Sequence, residues 1–374
     1  MTTKLVEEVA ELRMNIRSML RPTDQLGRRS GSRPGARTSY RVGAALIVSL
    51  AAALLLSGCV NNATFIDPQG PQALAESNLW WFIFIVALVV WAGVTGALIY
   101  SIMRFRARPG MPEPRQLHGN TTIEIIWTVV PSVVLFAVLA GTIFTLFNLG
   151  EPPGSTMTVN VVAHQWWWEF DYPNQGNVIT ADELHIPVGQ TVHINLDSNN
   201  VIHSFWVPQL AGKLDVIPGK TNQTWLKADK AGTYRGECTE YCGEQHAHMN
   251  FQVVADDPAA FASWLSTMQS TPAAPTGDAL AGQNLFTNVE PCWTCHVINQ
   301  PGVKSPPSAP IGPNLTHLAT RGLIAGGVLT NTPDNLKMWI THNQDVKSGN
   351  DMPEFSSLSP TDLDSLVAYL ETLK

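Results

Sequence analysis

Cys238-Thr-Glu-Tyr-Cys242-Gly-Glu-Gln-His246-Ala-His-Met249 places two thiols, an imidazole and a thioether within twelve residues, at the spacing C-x3-C-x3-H-x2-M. A further imidazole, His203, lies 35 residues before Cys238 in the apolar run Val201-Ile-His203-Ser-Phe-Trp-Val207. Soft sulfur together with imidazole suits a copper electron-transfer site. One thiolate, two imidazoles and a long thioether bond describe a single blue copper. Two thiolates four residues apart can instead bridge two metals. A bridged pair shares one electron over both ions, so each bond changes little on reduction and transfer is fast. The plain alternatives are a disulfide in an exported domain and a zinc site. Neither accounts for Met249, since zinc rarely takes a thioether, nor for the remote His203. The stretch therefore reads as a dinuclear copper centre.

A second chemical site lies near the C-terminus. Cys292-Trp-Thr-Cys295-His296 is the attachment sequence of a c-type haem, with two thiols for the vinyl groups and His296 as an axial ligand. A redox dithiol or a zinc half-site would use the same thiols. The adjacent His and the downstream Gly349-Asn-Asp-Met352-Pro-Glu-Phe argue against both. Met338 competes for the sixth position, but Asn335-Leu-Lys-Met338-Trp-Ile reads as an amphipathic helix, where Met is usually core. A His/Met pair gives a relatively high potential, suited to electron carriage. The chain has five cysteines: two for copper, two for haem, and Cys59, leaving none for a structural disulfide.

Leu56-Ser-Gly-Cys59 closes an apolar run from Val42 that follows an Arg-rich stretch. That order is a signal peptide, expected over 1–58. The small residues before Cys59 are similar to the cleavage site of bacterial lipoproteins and imply a lipidated Cys59. The run is too short for a comfortable membrane span. After an extracytoplasmic segment (59–78), two apolar stretches, 79–103 and 123–147, are long enough to cross a bilayer. The loop between them (104–122) carries Arg104, Arg106, Arg108 and Arg115, which puts it in the cytoplasm and both outer ends outside. Glu124 sits at the cytoplasmic end of the second span, where a carboxylate is costly and marks function.

Residues 150–256 alternate as short half-buried strands with Pro, Gly and Asn turns, the pattern of an all-β Greek-key sandwich. In Ala163-His-Gln-Trp166-Trp167-Trp168, three consecutive indoles cannot all point inward from one strand. His164, His185, His193 and His248 lack ligand spacing and read as structural. Residues 266–277 form a Ser/Thr/Pro/Ala tether, expected to be short and flexible. A helical haem domain fills 278–374, ending on a helix whose face carries Leu363, Leu366, Val367 and Leu370. The chain carries a net charge of −7. Nucleic-acid binding is disfavoured by that balance, and acidic faces on both soluble domains would attract a basic donor protein.

The copper motif resembles that of subunit II of haem-copper cytochrome c oxidases. The resemblance spans about 75–256 and, with the haem domain, implies a caa-type arrangement in a bacterial plasma membrane. It implies a membrane hairpin, a cupredoxin sandwich and a class I cytochrome c domain. Copper ligands then fall on His203, Cys238, Cys242, His246 and Met249, with the main-chain carbonyl of Glu240. The Glu240 side chain would hold a magnesium ion shared with subunit I. Trp166 would receive electrons for the copper pair, and Glu124 would stand at a proton-path entrance. Met-Pro before the final helix resembles the distal segment of small cytochromes c, implying Met352 as sixth ligand. Gly312-Pro313-Asn-Leu315 is similar to the segment whose Pro carbonyl steadies the proximal His.

The implied partners are subunit I, the other oxidase subunits, and a periplasmic or membrane-bound cytochrome or other donor. The implied role is an electron relay from haem c through the copper pair to haem a of subunit I, where oxygen is reduced and protons are pumped. A copper-pair subunit of a nitric oxide reductase and a stand-alone electron-carrier lipoprotein are the competing readings. A quinol oxidase subunit would lack the copper ligands.

Overall fold

The computed structural model describes residues 63–374, apart from 114, 115, 117, 151–153, 155, 156, 308 and 309. The expected signal peptide and lipidated Cys59 lie outside the described residues.

Helix α1 (Pro71–Arg104) starts on a proline, whose fixed φ suits the first helical position. Its 34 residues span about 51 Å, well beyond a hydrocarbon core of about 30 Å. The surplus is its first two turns, where Gln72, Ala73 and Ser77 are buried. Gln72 Nε2 donates to the Trp225 carbonyl at 2.5 Å, fastening the helix to the soluble sandwich. Helix α2 (Thr121–Leu149) is capped by Asn120, whose Oδ1 accepts from the Thr122 and Ile123 amides. Its last carbonyl, on Leu149, accepts from Trp225 Nε1 at 3.0 Å. The most apolar stretches of the two helices have mean hydropathies of 2.6 and 2.3 and are unburied in the protein, as lipid-facing helices must be.

The sandwich has ten strands: β1 (Met157–His164), β2 (Trp167–Tyr172), β3 (Val178–Ala181), β4 (Glu183–Pro187), β5 (Val192–Ser198), β6 (His203–Trp206), β7 (Leu214–Val216), β8 (Asn222–Leu226), β9 (Gly232–Cys238) and β10 (Asn250–Asp256). One sheet runs β3-β2-β1-β5-β8 and the other β4-β10-β9-β6-β7. Antiparallel neighbours in sequence (β1–β2–β3, β9–β10, β6–β7) alternate with crossover pairs, β1 beside β5 and β5 beside β8 in one sheet, β4 beside β10 and β9 beside β6 in the other. Alternation along β2 sends Trp168, Phe170 and Tyr172 inward, each fully buried. Phe205 and Phe251 stack at 4.8 Å between the sheets and meet Trp168. The chain changes sheet at Asp182, a buried residue at φ 59° whose Oδ1 accepts from the Trp168 amide at 2.9 Å.

Helix α3 (Pro258–Met268) packs on the sandwich through Trp264, stacked on His185 at 4.2 Å; His185 in turn pairs with Asp256 at 2.7 Å. The segment that follows differs from the flexible tether expected over 266–277. Gln269 Nε2 donates to the Gln175 carbonyl, Gln300 Nε2 donates to the Ala273 carbonyl at 2.6 Å, and Pro272 and Pro275 are buried. Proline rings with few polar demands pack readily, so the segment is seated on both domains.

The C-terminal domain is helical apart from one small hairpin. Helix α4 (Asp278–Asn284) runs into a π turn (Leu285–Val289), and the hairpin is β11 (Leu323–Ile324) with β12 (Leu329–Thr330). Helices α5 (Pro333–Thr341), α6 (Asn343–Val346) and α7 (Pro360–Leu370) follow. α4 crosses α7 at Gly282, where a Cβ would collide with the Ser365 backbone. Leu366, Val367 and Leu370 form the buried face of α7.

Candidate metal centre and haem pocket

Three adjacent strands end at one edge of the second sheet. β6 begins on His203, β9 ends on Cys238, and β10 begins just after Met249. The β9–β10 loop carries Cys242 and His246 back over that edge. Phe205 pairs with Cys238 across the ladder, so His203, two residues away, points to the same side. Cys238 Sγ and Cys242 Sγ stand 3.8 Å apart, too far for a disulfide. His203 Nδ1 is 3.8 Å from Cys238 Sγ, and His246 Nδ1 is 3.6 Å from Cys242 Sγ. Met249 Sδ is 3.8 Å from Cys242 Sγ, and the Glu240 carbonyl is 3.2 Å from Cys238 Sγ. Cys238, Cys242, His203 and Met249 are buried. The Glu240 side chain is exposed.

Two thiols with two imidazoles, a thioether and a main-chain carbonyl around them fit a pair of copper ions. His203 Nε2 faces Asn200 Oδ1 at 3.0 Å, which leaves Nδ1 for a metal and orients the ring from behind. The hydrogen bond from Cys242 holds the Cys238 thiol far below its ordinary value, and the same bond pushes Cys242 up. Copper binding here would displace the remaining thiol proton. His248 turns away, its Nδ1 on Gln245 Oε1 at 2.7 Å. His164 stacks on Trp167 at 4.1 Å, and burial, with the charge of His203 adding to it, lowers its pKa to about 4. It is a neutral packing group at physiological pH.

The second site is a cavity of roughly 210 Å³ lined by Cys292, Cys295, His296, Pro313 and Met352. His296 Nδ1 donates to the Pro313 carbonyl at 2.8 Å. A Cβ on Gly312 would strike the His296 ring, so that glycine admits the close approach. Met352 lines the cavity, whereas Met338 is 38 % exposed on α5 and does not. Burial, then the Glu290 carboxylate, push the Cys292 thiol up to about 12. A thiol held protonated in such a cavity is a poor zinc ligand. Among the described residues, the one cluster with ligand atoms within metal-binding reach is His203, Cys238 and Cys242.

The two sites share a wall. Gln165, Trp166 and Trp167 line the haem cavity from the sandwich side. Trp166 Nε1 and Gln165 Nε2 both donate to the Cys242 carbonyl, at 3.0 and 2.7 Å. Glu124 stands apart, in the first turn of α2. Twenty-five residues of helix, about 37 Å, separate it from the α2 end that touches the sandwich.

Sequence reasoning missed the groups that join the two domains: Asp182, Gly326 and Lys347. Each is an ordinary residue type with no motif around it, so only the folded arrangement reveals it.

Soft donors on a sandwich edge, a haem-type cavity beside them and a membrane hairpin below are the parts of a membrane-bound electron-transfer protein. Residues 177–256 match the family model for the periplasmic domain of cytochrome c oxidase subunit II, 59–144 that for its transmembrane domain, and 279–374 that for cytochrome c. Cytochrome c oxidase subunit 2 of Alkalihalophilus pseudofirmus is 38 % identical over 333 residues, covering 86 % of this chain and 94 % of the relative. That of Bacillus sp. (strain PS3) is 34 % identical over 86 % of this chain and 95 % of its own length. A crystal structure of the periplasmic domain of subunit II of cytochrome oxidase from Bradyrhizobium japonicum is 30 % identical, covering 32 % of this chain and 97 % of that one, with a TM-score of 0.31. The chain belongs to the cytochrome c oxidase subunit II family, with a cytochrome c domain at its C-terminus. It is a membrane subunit of a haem-copper oxidase, with copper and haem c implied by its domains and an extracytoplasmic soluble part.

Proposed function

We propose that this chain relays electrons from haem c to a copper pair and on to haem a of subunit I, in a bacterial plasma membrane. Oxygen reduction and proton pumping take place on subunit I. The single observation that carries the reading is the shared wall: Trp166 lines the haem cavity and its indole donates directly to the carbonyl of Cys242. Copper and haem, when bound, supply the one-electron chemistry. His203, Cys238, Cys242, His246, Met249 and the Glu240 carbonyl would hold the copper, and Cys292, Cys295, His296 and Met352 the haem. The exposed Glu240 carboxylate would hold a magnesium ion shared with subunit I. The donor to the haem is a periplasmic or membrane-bound cytochrome or a similar carrier.

Trp166 contributes a polarisable ring and one N–H. Trp166→Phe keeps a smaller ring and removes the hydrogen bond to Cys242. Haem-to-copper transfer should slow by about tenfold or more, through lost positioning, with both absorption spectra intact. An unchanged rate, read by flash reduction of the haem, would remove Trp166 from the route.

Two further outcomes are expected. Met352→His should keep the haem attached and lower its potential, since imidazole favours ferric iron more than thioether does. Redox titration reads this directly, and an unchanged potential would move the sixth ligand elsewhere. Glu124→Gln should slow oxygen turnover with copper and haem spectra unchanged, because a carboxylate at a span's cytoplasmic end serves proton uptake. Wild-type oxygen consumption in that variant would return Glu124 to a plain interfacial acid.

A further inference from the structure

Lys347 follows α6 and is 3 % exposed. Its ammonium reaches out of the haem domain and donates to the Trp166 carbonyl at 2.5 Å, and to the Ala325 carbonyl at 3.2 Å. One acceptor belongs to the copper domain and the other to the haem domain. The β11–β12 turn beside it holds three consecutive residues at positive φ, Ala325, Gly326 and Gly327. That shape lays the turn flat on the copper domain, where the Asn250 amide donates to the Gly326 carbonyl at 3.1 Å. Asn250 directly follows Met249. A Cβ on Gly326 would collide with Lys347 Nζ and crowd the Trp166 carbonyl.

The residues after Lys347 extend the contact. Gln245 Nε2 donates to the Ser348 carbonyl at 2.9 Å, and Ser348 Oγ donates to Glu244 Oε1 at 2.6 Å. The same loop leads to the haem cavity. Asn350 Nδ2 donates to the Lys347 carbonyl at 2.7 Å, and Asn350 Oδ1 accepts from the Met352 amide at 2.9 Å. One asparagine thus ties Lys347 to Met352.

Charge matches across the boundary. Asp182 and Glu183 of the copper domain face Arg321 and Lys347 of the haem domain. Burial raises Asp182 to about 6 and lowers Lys347 to about 8, and the charge of each offsets the shift of the other. Both stay mainly ionised at neutral pH, so the ammonium keeps its full set of donors.

We propose that Lys347 is the positioning residue of the relay: it clamps the Met352 loop to the backbone of Trp166 and so fixes the open side of the haem cavity against that indole. The electron-transfer consequence rests on the haem-to-copper reading above; the clamp itself rests on the contacts just given. Electron tunnelling falls steeply with distance, so a clamp between the two sites sets the rate without touching either cofactor's ligands. A flexible link alone would hold the domains close at millimolar effective concentration but in many orientations. Lys347 selects one.

The test uses the full chain in its oxidase, as wild type, Lys347→Met and Gly326→Ala. Methionine keeps the length of the stem and removes every donor. Alanine at 326 keeps the lysine in the sequence but drives its Nζ off the Trp166 carbonyl and wedges the boundary. Amide hydrogen exchange at Asn250 reads docking, and flash reduction of the haem reads transfer to copper. Both variants should lose about tenfold of the Asn250 protection and slow transfer about tenfold, with both potentials and spectra unchanged. Wild-type protection and wild-type rate in Lys347→Met, or in Gly326→Ala should the first variant not fold, would overturn the proposal while leaving the relay standing. A wild-type chain with a protected Asn250 but no haem-to-copper transfer would overturn the relay, and with it the role of Lys347.

Discussion

Cys238→Ser or Cys242→Ser should abolish the mixed-valence copper signal expected of this chain. The two sulfurs stand 3.8 Å apart, with one imidazole beside each and the thioether and main-chain carbonyl closing the set. A hydroxyl in place of either sulfur cannot bridge two copper ions as a thiolate does. Loss of an outer partner of a metal ligand already costs about 10–100-fold in affinity, and loss of a bridging ligand should exceed that range. Serine is close in size to cysteine, so the aromatic core beneath the site, built on Phe205 and Phe251, keeps its packing. Copper analysis with electron paramagnetic resonance checks the result. A wild-type chain that binds zinc and gives no copper signal would contradict the assignment outright.

Replacing Cys292 and Cys295 together by Ser should leave copper in place and collapse its reduction by the physiological donor. In the proposed relay the haem is the internal donor, held beside copper by the seated 266–277 segment at an effective concentration of at least about a millimolar. A free donor at micromolar concentration is about a thousandfold more dilute, so the rate at copper should fall by two to three orders of magnitude, roughly. The structure also limits rescue by an added soluble cytochrome c. Trp166 is half-buried, with Lys347 on its carbonyl and Gly349 against its ring. Docking of a second protein there requires the haem domain to leave. Rescue should therefore stay small in the double serine variant and grow when Lys347→Met is added. Stopped-flow traces at the copper band separate these cases, and full rescue with Lys347 intact would show Trp166 to be open.

The parts of this protein that were legible in the sequence are those set by local chemistry. Cys238, Cys242, His246 and Met249 lie on one loop, so their spacing already restricts what they can bind. His203 was legible because it interrupts a strand-like apolar run, where an imidazole needs a reason. The haem motif is contiguous, and Met352 stood out from Met338 because one sits beside a proline and the other on a helix. The two spans follow from hydropathy alone, although α1 begins eight residues before the apolar stretch at 79, because its first turns pack on the sandwich instead of on lipid.

What was not legible depends on contacts between remote segments. Lys347 reads as one more solvated lysine, yet its stem is buried and its ammonium lies between two carbonyls contributed by different domains. Asp182 gave no sign that it would turn the chain from one sheet to the other in a left-handed conformation. The 266–277 segment has the composition of a loose link, but composition does not report that Pro272 and Pro275 find surfaces to pack on. Shape complementarity between domains has no period along the chain, so pattern reading passes over it.

Electrons should reach copper from haem c within one chain, across the wall formed by Trp166. Flash reduction of the haem in the assembled oxidase, followed at the haem and copper bands over a range of protein concentrations, tests it most directly. Haem oxidation and copper reduction should share one rate constant that does not change with concentration. Copper reduced before the haem, or at a rate that rises in proportion to concentration, would contradict it.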